Sequence, residues 1–311
     1  MVETINRCAY LSFISCFFIL FYKVLQWYLI FELIMKILKD KVIVITGASS
    51  GIGKAMADAA LQRGAKVAVC ARHIEKLAQV YEHTDPDKLI CVQADVSVEA
   101  DCSNLMEYVL SKWGRIDVLV NNAGISMRAL FQDTQLSVIR ELMEVNFFGT
   151  VYCTKYALPS LLKHNGVIVG VSSVAGYRGL PARTGYSASK FAMQGFLESL
   201  RTELLHTGTH VMWVCPGFTS SNIRNTARSA DGSAQKETPL DEKKLMSAEQ
   251  CAEIILNGVA QRKRSIIMTR QGKLAVWVNR LFGGLADKLV YKHFLKEPNS
   301  PLAKISRRQT V

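Results

Sequence analysis

The chain has 311 residues, 49% of them hydrophobic, and a formal net charge of +12. That size and apolar content suit one large α/β core and require no second domain. The eight cysteines form no C-x-x-C pair and the six histidines lack metal-ligand spacing, so neither a zinc site nor a disulfide framework is expected; Cys70, Cys91, Cys153 and Cys215 lie in apolar runs, where reduced cysteine behaves as a small hydrophobe.

The first candidate element is "CAYLSFISCFFILFYKVLQWYLIF", residues 8–31, in which Lys23 is the only charge. As a helix it is long enough to cross about 30 Å of hydrocarbon. Lys23 divides the run, which leaves a hairpin or an interface-lying helix as alternatives, and no small-x-small site follows it to mark a cleaved signal. The expectation is a membrane anchor over residues 1–38. Lys36, Lys39 and Lys41 follow the run while Arg7 precedes it, which places the globular part on the cytoplasmic side.

From Lys41 the pattern changes. "KVIVIT", "AKVAVCA", "KLICVQA", "IDVLVN", "GVIVGVS", "HVMWVC" and "RSIIMT" are short apolar runs separated by segments of helical period. About seven buried strands alternating with helices imply a doubly wound parallel sheet of Rossmann type. A single catalytic domain is expected over residues 39–270, followed by a basic extension over 271–311.

After the first strand, "TGASSGIG" puts Gly47, Gly51 and Gly53 between strand and helix. Glycines let the backbone approach a pyrophosphate, and the helix N-terminus offers unpaired N–H groups. Thr46, Gly47, Ser49, Ser50, Gly51, Ile52 and Gly53 are therefore candidate dinucleotide contacts, although a plain glycine-rich turn fits the same letters. At the end of the second strand, "CARH" offers Ala71 and Arg72 where a carboxylate would accept from a ribose 2′-hydroxyl. A guanidinium there matches a 2′-phosphate, so NADP(H) is the expected cofactor, against the alternative of a solvated loop charge. Asp95 in "QADVS" suits the adenine amine or, alternatively, the cap of the next helix.

Further along, "NNAG" and "VNFFG" place Asn121, Asn122 and Asn146 in a largely apolar stretch, where an amide is costly unless its donors and acceptors are satisfied. "SSVAGYRGLPARTGYSASK" then sets Ser173 thirteen residues before Tyr186, with Lys190 four residues after it. Four residues is one helical turn, so Tyr186 and Lys190 share a face. An adjacent ammonium is expected to lower the phenol's pKa, and Ser173 to hydrogen-bond the substrate oxygen while Tyr186 transfers the proton.

In this order and spacing, "TGASSGIG", "NNAG", Asn146 and the Ser173, Tyr186, Lys190 set resemble the short-chain dehydrogenase/reductase family, in its Y-x-x-x-K group, over roughly residues 41–270. The anchor and extension resemble its membrane-bound dehydrogenase/reductase 7-like branch. The resemblance implies that Asn146 bends a helix and serves a proton relay to Lys190, and that Asn122, Ala123 and Gly124 steady the strands beside the cofactor. It also implies that "CPGFTSSNI" closes over the nicotinamide through Pro216, Gly217, Thr219 and Ser221, with Ser221 standing where the family has threonine. Homo-oligomers through helices matching residues 134–164 and 186–207 are implied as well.

The polar stretch "RNTARSADGSAQKETPLDEKKLM" reads as a substrate lid or as a loop without that role. Residues 261–311 carry twelve Lys/Arg against Asp287 and Glu297. Within them, residues 273–287 place Leu274, Trp277, Val278, Leu281, Phe282 and Leu285 on one face of a single basic amphipathic helix, suited to a membrane interface or to packing on the domain. No nucleic-acid motif is present. Together these features point to an NADP(H)-dependent, membrane-associated oxidoreductase acting on a lipophilic ketone or secondary alcohol. Arg224 and Arg228 suggest an anionic head, as in acyl- or alkyl-dihydroxyacetone phosphate, with steroid or retinoid carbonyls next. A catalytically silent NADP(H)-sensing or scaffold protein is the alternative.

Overall fold

A computed structural model describes residues 37–219, 222–236, 238, 245–303 and 305. The anchor run 8–31 therefore lies outside the described residues; among those described, no helix is long and apolar enough to cross a membrane.

The apolar runs form a seven-stranded, wholly parallel sheet. Its strands are β1 (Val42–Thr46), β2 (Lys66–Ala71), β3 (Leu89–Gln93), β4 (Val118–Asn121), β5 (Val167–Val171), β6 (His210–Cys215) and β7 (Ser265–Ile267), in the order β3-β2-β1-β4-β5-β6-β7. Every residue of β1 and β5 is buried, which is why their sequences are continuous β-branched runs rather than alternating ones.

Helices cover both faces. On one, Ile43, Ile45, Val120 and Val169 pack against α1 (Gly51–Gln62), α2 (Ile74–Val80) and a later helix, Ala248–Ala260, through Met56, Leu77 and Ile255. On the other, Val44, Leu119 and Ile168 meet α3 (Glu99–Trp113), α5 (Gly149–Lys163) and α6 (Thr184–Glu203) through Leu105, Cys153 and Leu197. Between α3 and α5, α4 (Leu136–Met143) runs directly into a π-helical turn, Glu144–Phe148, which carries Asn146. The order of strands reverses between β1 and β4, so a crevice opens at their carboxyl ends.

The extension departs from the expected single amphipathic helix. After α7 (Ala248–Ala260), α8 (Arg270–Leu281) ends at Phe282, whose backbone (φ −136, ψ 60) is not helical, and α9 (Gly283–Leu295) begins anew. Gly283 and Gly284 supply the break, because glycine in a helix interior is entropically unfavourable. Leu285 thus belongs to the second helix. The pair is tied to the domain by a polar edge: Arg178 Nη1 donates to Asn279 Oδ1 at 2.9 Å, Asn279 Nδ2 to the Tyr177 carbonyl at 3.0 Å, and Arg178 pairs with Asp287. Leu274, Trp277, Leu281, Phe282 and Leu285 each keep more than half of their surface exposed.

Candidate active site

The crevice is one continuous cavity of about 560 Å³. At its base β1 gives way to the glycine turn, where Gly47 adopts a positive φ of 66° and a Cβ would stand 2.7 Å from Ala123 Cα. A Cβ on Gly53 would overlap the Gly47 carbonyl oxygen. Asn122 holds this close approach together. Its Nδ2 donates to the carbonyls of Thr46 (2.8 Å) and Gly47 (3.0 Å), while the N–H groups of Asn122 and Ala123 donate to Thr46 Oγ1 at 3.0 and 2.9 Å. Thr46, a candidate cofactor contact, does not reach the cavity wall: it is 2% exposed and its hydroxyl is occupied by this clamp. Asn121 donates to Thr154 Oγ1 at 3.1 Å and serves the packing of β4 on α5.

Gly47, Ser49, Ser50, Gly51, Ile52, Gly53, Arg72, Asp95, Asn122, Ala123 and Gly124 all line the cavity, together with Lys76, which sequence reasoning missed. Its signal was available: Lys76 follows Arg72 by four residues and falls in the opening turns of α2. Asp95 does not cap α3. Its Oδ1 accepts from Ser97 N (3.0 Å) and Oγ (2.7 Å), and the N-cap is Val98, which has no side-chain acceptor.

The reactive groups stand at the carboxyl end of β5. Ser173 opens a short 3₁₀ turn, Val174–Gly176, and accepts from Ala175 N at 3.1 Å; its hydroxyl lies close enough to the Tyr186 phenol to favour the phenolate. Lys190, one turn along α6 from Tyr186, is 3% exposed; its Nζ donates to the Val171 carbonyl at 2.9 Å and lies 5.9 Å from the Tyr186 ring centre. Desolvation pulls the Lys190 ammonium down to about 8. Burial raises the Tyr186 pKa above its ordinary value, and the Ser173 hydrogen bond and the Arg183 charge offset this only partly. The expected lowering by Lys190 therefore does not prevail in this geometry: its ammonium is turned to a backbone carbonyl, and burial outweighs the groups that favour the phenolate.

Asn146 lies behind the wall, fully buried. Its Nδ2 donates to the Ile125 carbonyl (2.9 Å) and Ser189 Oγ (2.8 Å), and its Oδ1 accepts from Ile125 N (2.9 Å). Gly124 lies between it and the cavity, where a Cβ would stand 3.0 Å from Asn146 Oδ1 and 3.4 Å from Lys190 Nζ. The π turn is the helix distortion expected at this asparagine.

Pro216, Gly217 and Thr219 line the cavity after β6, with the Thr219 hydroxyl directed to the Gly217 carbonyl at 3.3 Å. Ser221 lies outside the described residues. Beyond Tyr186 the wall is formed by Leu180, Arg183, Phe218, Ile223, Arg228 and Glu297. Arg183 and Glu297 were not foreseen, and no local pattern joins two residues that far apart.

A glycine turn at a helix N-terminus beside a Ser-Tyr-Lys set is matched by sequence comparison. The profile of the family described as short chain dehydrogenase matches residues 41–232. The chain belongs to the short-chain dehydrogenase/reductase family. Within it, the "Dehydrogenase/reductase SDR family protein 7-like" of Dictyostelium discoideum is 35% identical over 263 residues, covering 82% of each chain, which places this protein in the dehydrogenase/reductase 7-like branch. Among solved structures, a short-chain dehydrogenase/reductase from Burkholderia phymatum in complex with NAD superposes with a TM-score of 0.71 at 25% identity, covering 79% of this chain and 95% of that one. A short-chain dehydrogenase from Burkholderia cenocepacia in complex with NADP shares the fold, with a TM-score of 0.69 at 22% identity over 81% of this chain and 98% of that one. The protein is thus an oxidoreductase of a family that works with a nicotinamide dinucleotide.

Proposed function

We propose that the enzyme uses NADPH to reduce a lipophilic ketone to a secondary alcohol. The observation that carries the cofactor choice is the pair Arg72 and Lys76 in the cavity wall at the end of β2, with Ala71 where a carboxylate would favour NAD. The Gly47–Gly53 turn and the N-terminus of α1 would hold the pyrophosphate. When bound, the cofactor supplies the hydride for the carbonyl carbon. Tyr186 donates its proton to the carbonyl oxygen, Ser173 orients that oxygen, and the Lys190 ammonium returns a proton to the phenolate and regains one from solvent, with Asn146 as a positioning residue behind it. The intact Ser-Tyr-Lys set argues against a silent sensor.

Apolar wall residues Leu180, Phe218 and Ile223 support a lipophilic substrate. So does the apolar run 8–31, which would hold the enzyme at a membrane with its catalytic domain on the cytoplasmic side. Exposed Phe148, Leu162 and Phe191 on the α5–α6 side support a homo-oligomer formed there.

Steady-state assays of the full-length protein with NADPH or NADH and a homologous ketone series test this reading. kcat/KM should favour NADPH and rise with chain length, by up to about 0.8 kcal/mol per buried methylene, until the pocket fills. Preference for NADH refutes the cofactor assignment, and a flat chain-length profile refutes the lipophilic substrate. Complete release of the full-length protein from membranes by carbonate refutes the anchor.

A further inference from the structure

Three arginines reach the substrate end of the cavity, and each already has acceptors within the protein. Arg183 Nη2 donates to both carboxylate oxygens of Glu297 at 2.9 Å. Arg228 Nε donates to Glu141 Oε2 at 2.9 Å, with its Nη2 on the other oxygen. Arg224 donates to Thr238 Oγ1 and to the Thr219 carbonyl, both at 3.1 Å.

Glu297 is the member of this set that the extension contributes, and it is not a loosely placed surface carboxylate. Its side chain is 6% exposed and lines the cavity. Arg128 Nε lies 3.6 Å from its second oxygen, and the Arg128 Nη2 donates to the neighbouring Pro298 carbonyl. The segment around it is pinned: the Arg183 guanidinium lies 4.6 Å from the Phe294 ring centre, Ser300 Oγ donates to the Phe294 carbonyl at 2.7 Å, and Phe294 packs with Leu130, Ala182 and Leu302.

We infer that Glu297 sets the charge preference of the substrate end: with Arg183 held in its fork beside Tyr186, the pocket selects a ketone whose groups there are uncharged over one carrying a carboxylate or phosphate. The inference rests on the ketone-reductase reading and narrows its substrate class. An incoming anion would have to displace the Glu297 carboxylate from Arg183, whose Nη2 already donates to both of its oxygens, and would then stand beside that carboxylate. Discrimination of this kind depends on a repulsive element as much as on an attractive one. Ketones with an anionic head, the class suggested by Arg224 and Arg228 in the sequence, become the disfavoured class. Glu297→Gln keeps the shape, removes the charge and frees the Arg183 guanidinium from a competing carboxylate, so the preference shifts towards the anion.

The test uses the full-length protein, NADPH, and a matched pair of probes: a medium-chain oxo fatty acid and its methyl ester. The wild type should reduce the ester with a kcat/KM at least tenfold above that of the acid. Glu297→Gln should shift the ratio towards the acid by tenfold or more, while Glu297→Asp, which retains the charge, should keep the wild-type order. A wild type that uses the acid as well as the ester overturns the inference, as does a folded Glu297→Gln variant with an unchanged ratio. Removing one partner of a buried pair is destabilising, so if Glu297→Gln does not fold, the wild-type ratio and the aspartate variant decide. If neither probe is reduced, the reductase reading fails on its own, and the charge preference is read from thermal shift, where the ester should raise the melting temperature of the NADPH-saturated protein more than the acid does.

Discussion

The two ends of the cavity are built differently. At the cofactor end, backbone meets backbone: Gly47 and Gly53 let β1, α1 and "NNAG" touch, and the Asn122 amide ties two carbonyls at 2.8 and 3.0 Å. At the substrate end the wall is side chain against side chain, with Arg183 and Glu297 brought together from the N-cap of α6 and the extension. A backbone site has few solutions, because only glycine fits and only an amide offers the donors. A side-chain site has many, which lets one fold accept different substrates.

The reacting centre lies where the two ends meet, and breaking it gives the largest effect. Tyr186→Phe keeps the ring but removes the transferable proton, so kcat should fall by roughly 10²–10⁴-fold. NADPH affinity and melting temperature should stay near wild type, since the phenol faces the cavity and its ring packing is retained. Stopped-flow NADPH oxidation with parallel NADPH titration checks this; near-normal turnover means that another group supplies the proton.

Arg72→Ala sharpens the contrast from the cofactor side. It should weaken NADPH binding by about 1–3 kcal/mol, the scale of a charge-assisted hydrogen bond, and leave NADH nearly unchanged. Lys76→Ala should act in the same direction and more weakly, because a single ammonium lacks the fork of a guanidinium. Equal losses for both cofactors in calorimetric titration exclude a 2′-phosphate contact.

Paired glycine substitutions compare the packing of the two ends directly. Gly53→Ala places a methyl group against the Gly47 carbonyl and the Asn122 amide, and should cost roughly 1–3 kcal/mol of stability along with cofactor affinity. Gly179→Ala, beside the wall residue Leu180, meets nothing within 4 Å and should leave the melting temperature almost unmoved. Similar losses at both positions erase the distinction between a tight backbone site and an open side-chain one.

The same contrast explains what could be read from the sequence. The parallel sheet, the glycine turn, "NNAG" and the Tyr186–Lys190 turn are each encoded within a short window, and Asn146 disclosed itself as an amide in apolar surroundings. Arg183–Glu297 is a pairing of residues far apart in sequence, invisible to any local period. The break at Phe282 was missed because the apolar spacing of residues 273–287 outweighed the Gly283–Gly284 signal. The clamp that removes Thr46 from the wall depends on strand register, with Ile45 opposite Val120, which composition does not disclose.

The remaining contrast is read against pH and concerns Lys190 at the reacting centre. Its ammonium, drawn down to about 8 by burial, loses its proton more readily than in the unfolded chain, where the ordinary value is 10.5. Between those values the unfolded state binds more protons than the folded one, so this residue's contribution to stability should grow as pH rises from about 8 towards 10 and disappear as pH falls through 8. Burial raises the Tyr186 pKa above its ordinary value, a shift of the opposite sign, so measurements up to pH 9.5 separate the two. Denaturant midpoints of the wild type minus those of Lys190→Met should therefore increase from pH 7.5 to 9.5. Activity should move the other way: reduction needs the charged lysine, so kcat/KM with NADPH should be level below pH 8 and fall to about a tenth of that level one pH unit above the transition. A stability difference that stays flat across this range would show that Lys190 keeps its proton in the folded enzyme, and the activity loss would then belong to another group.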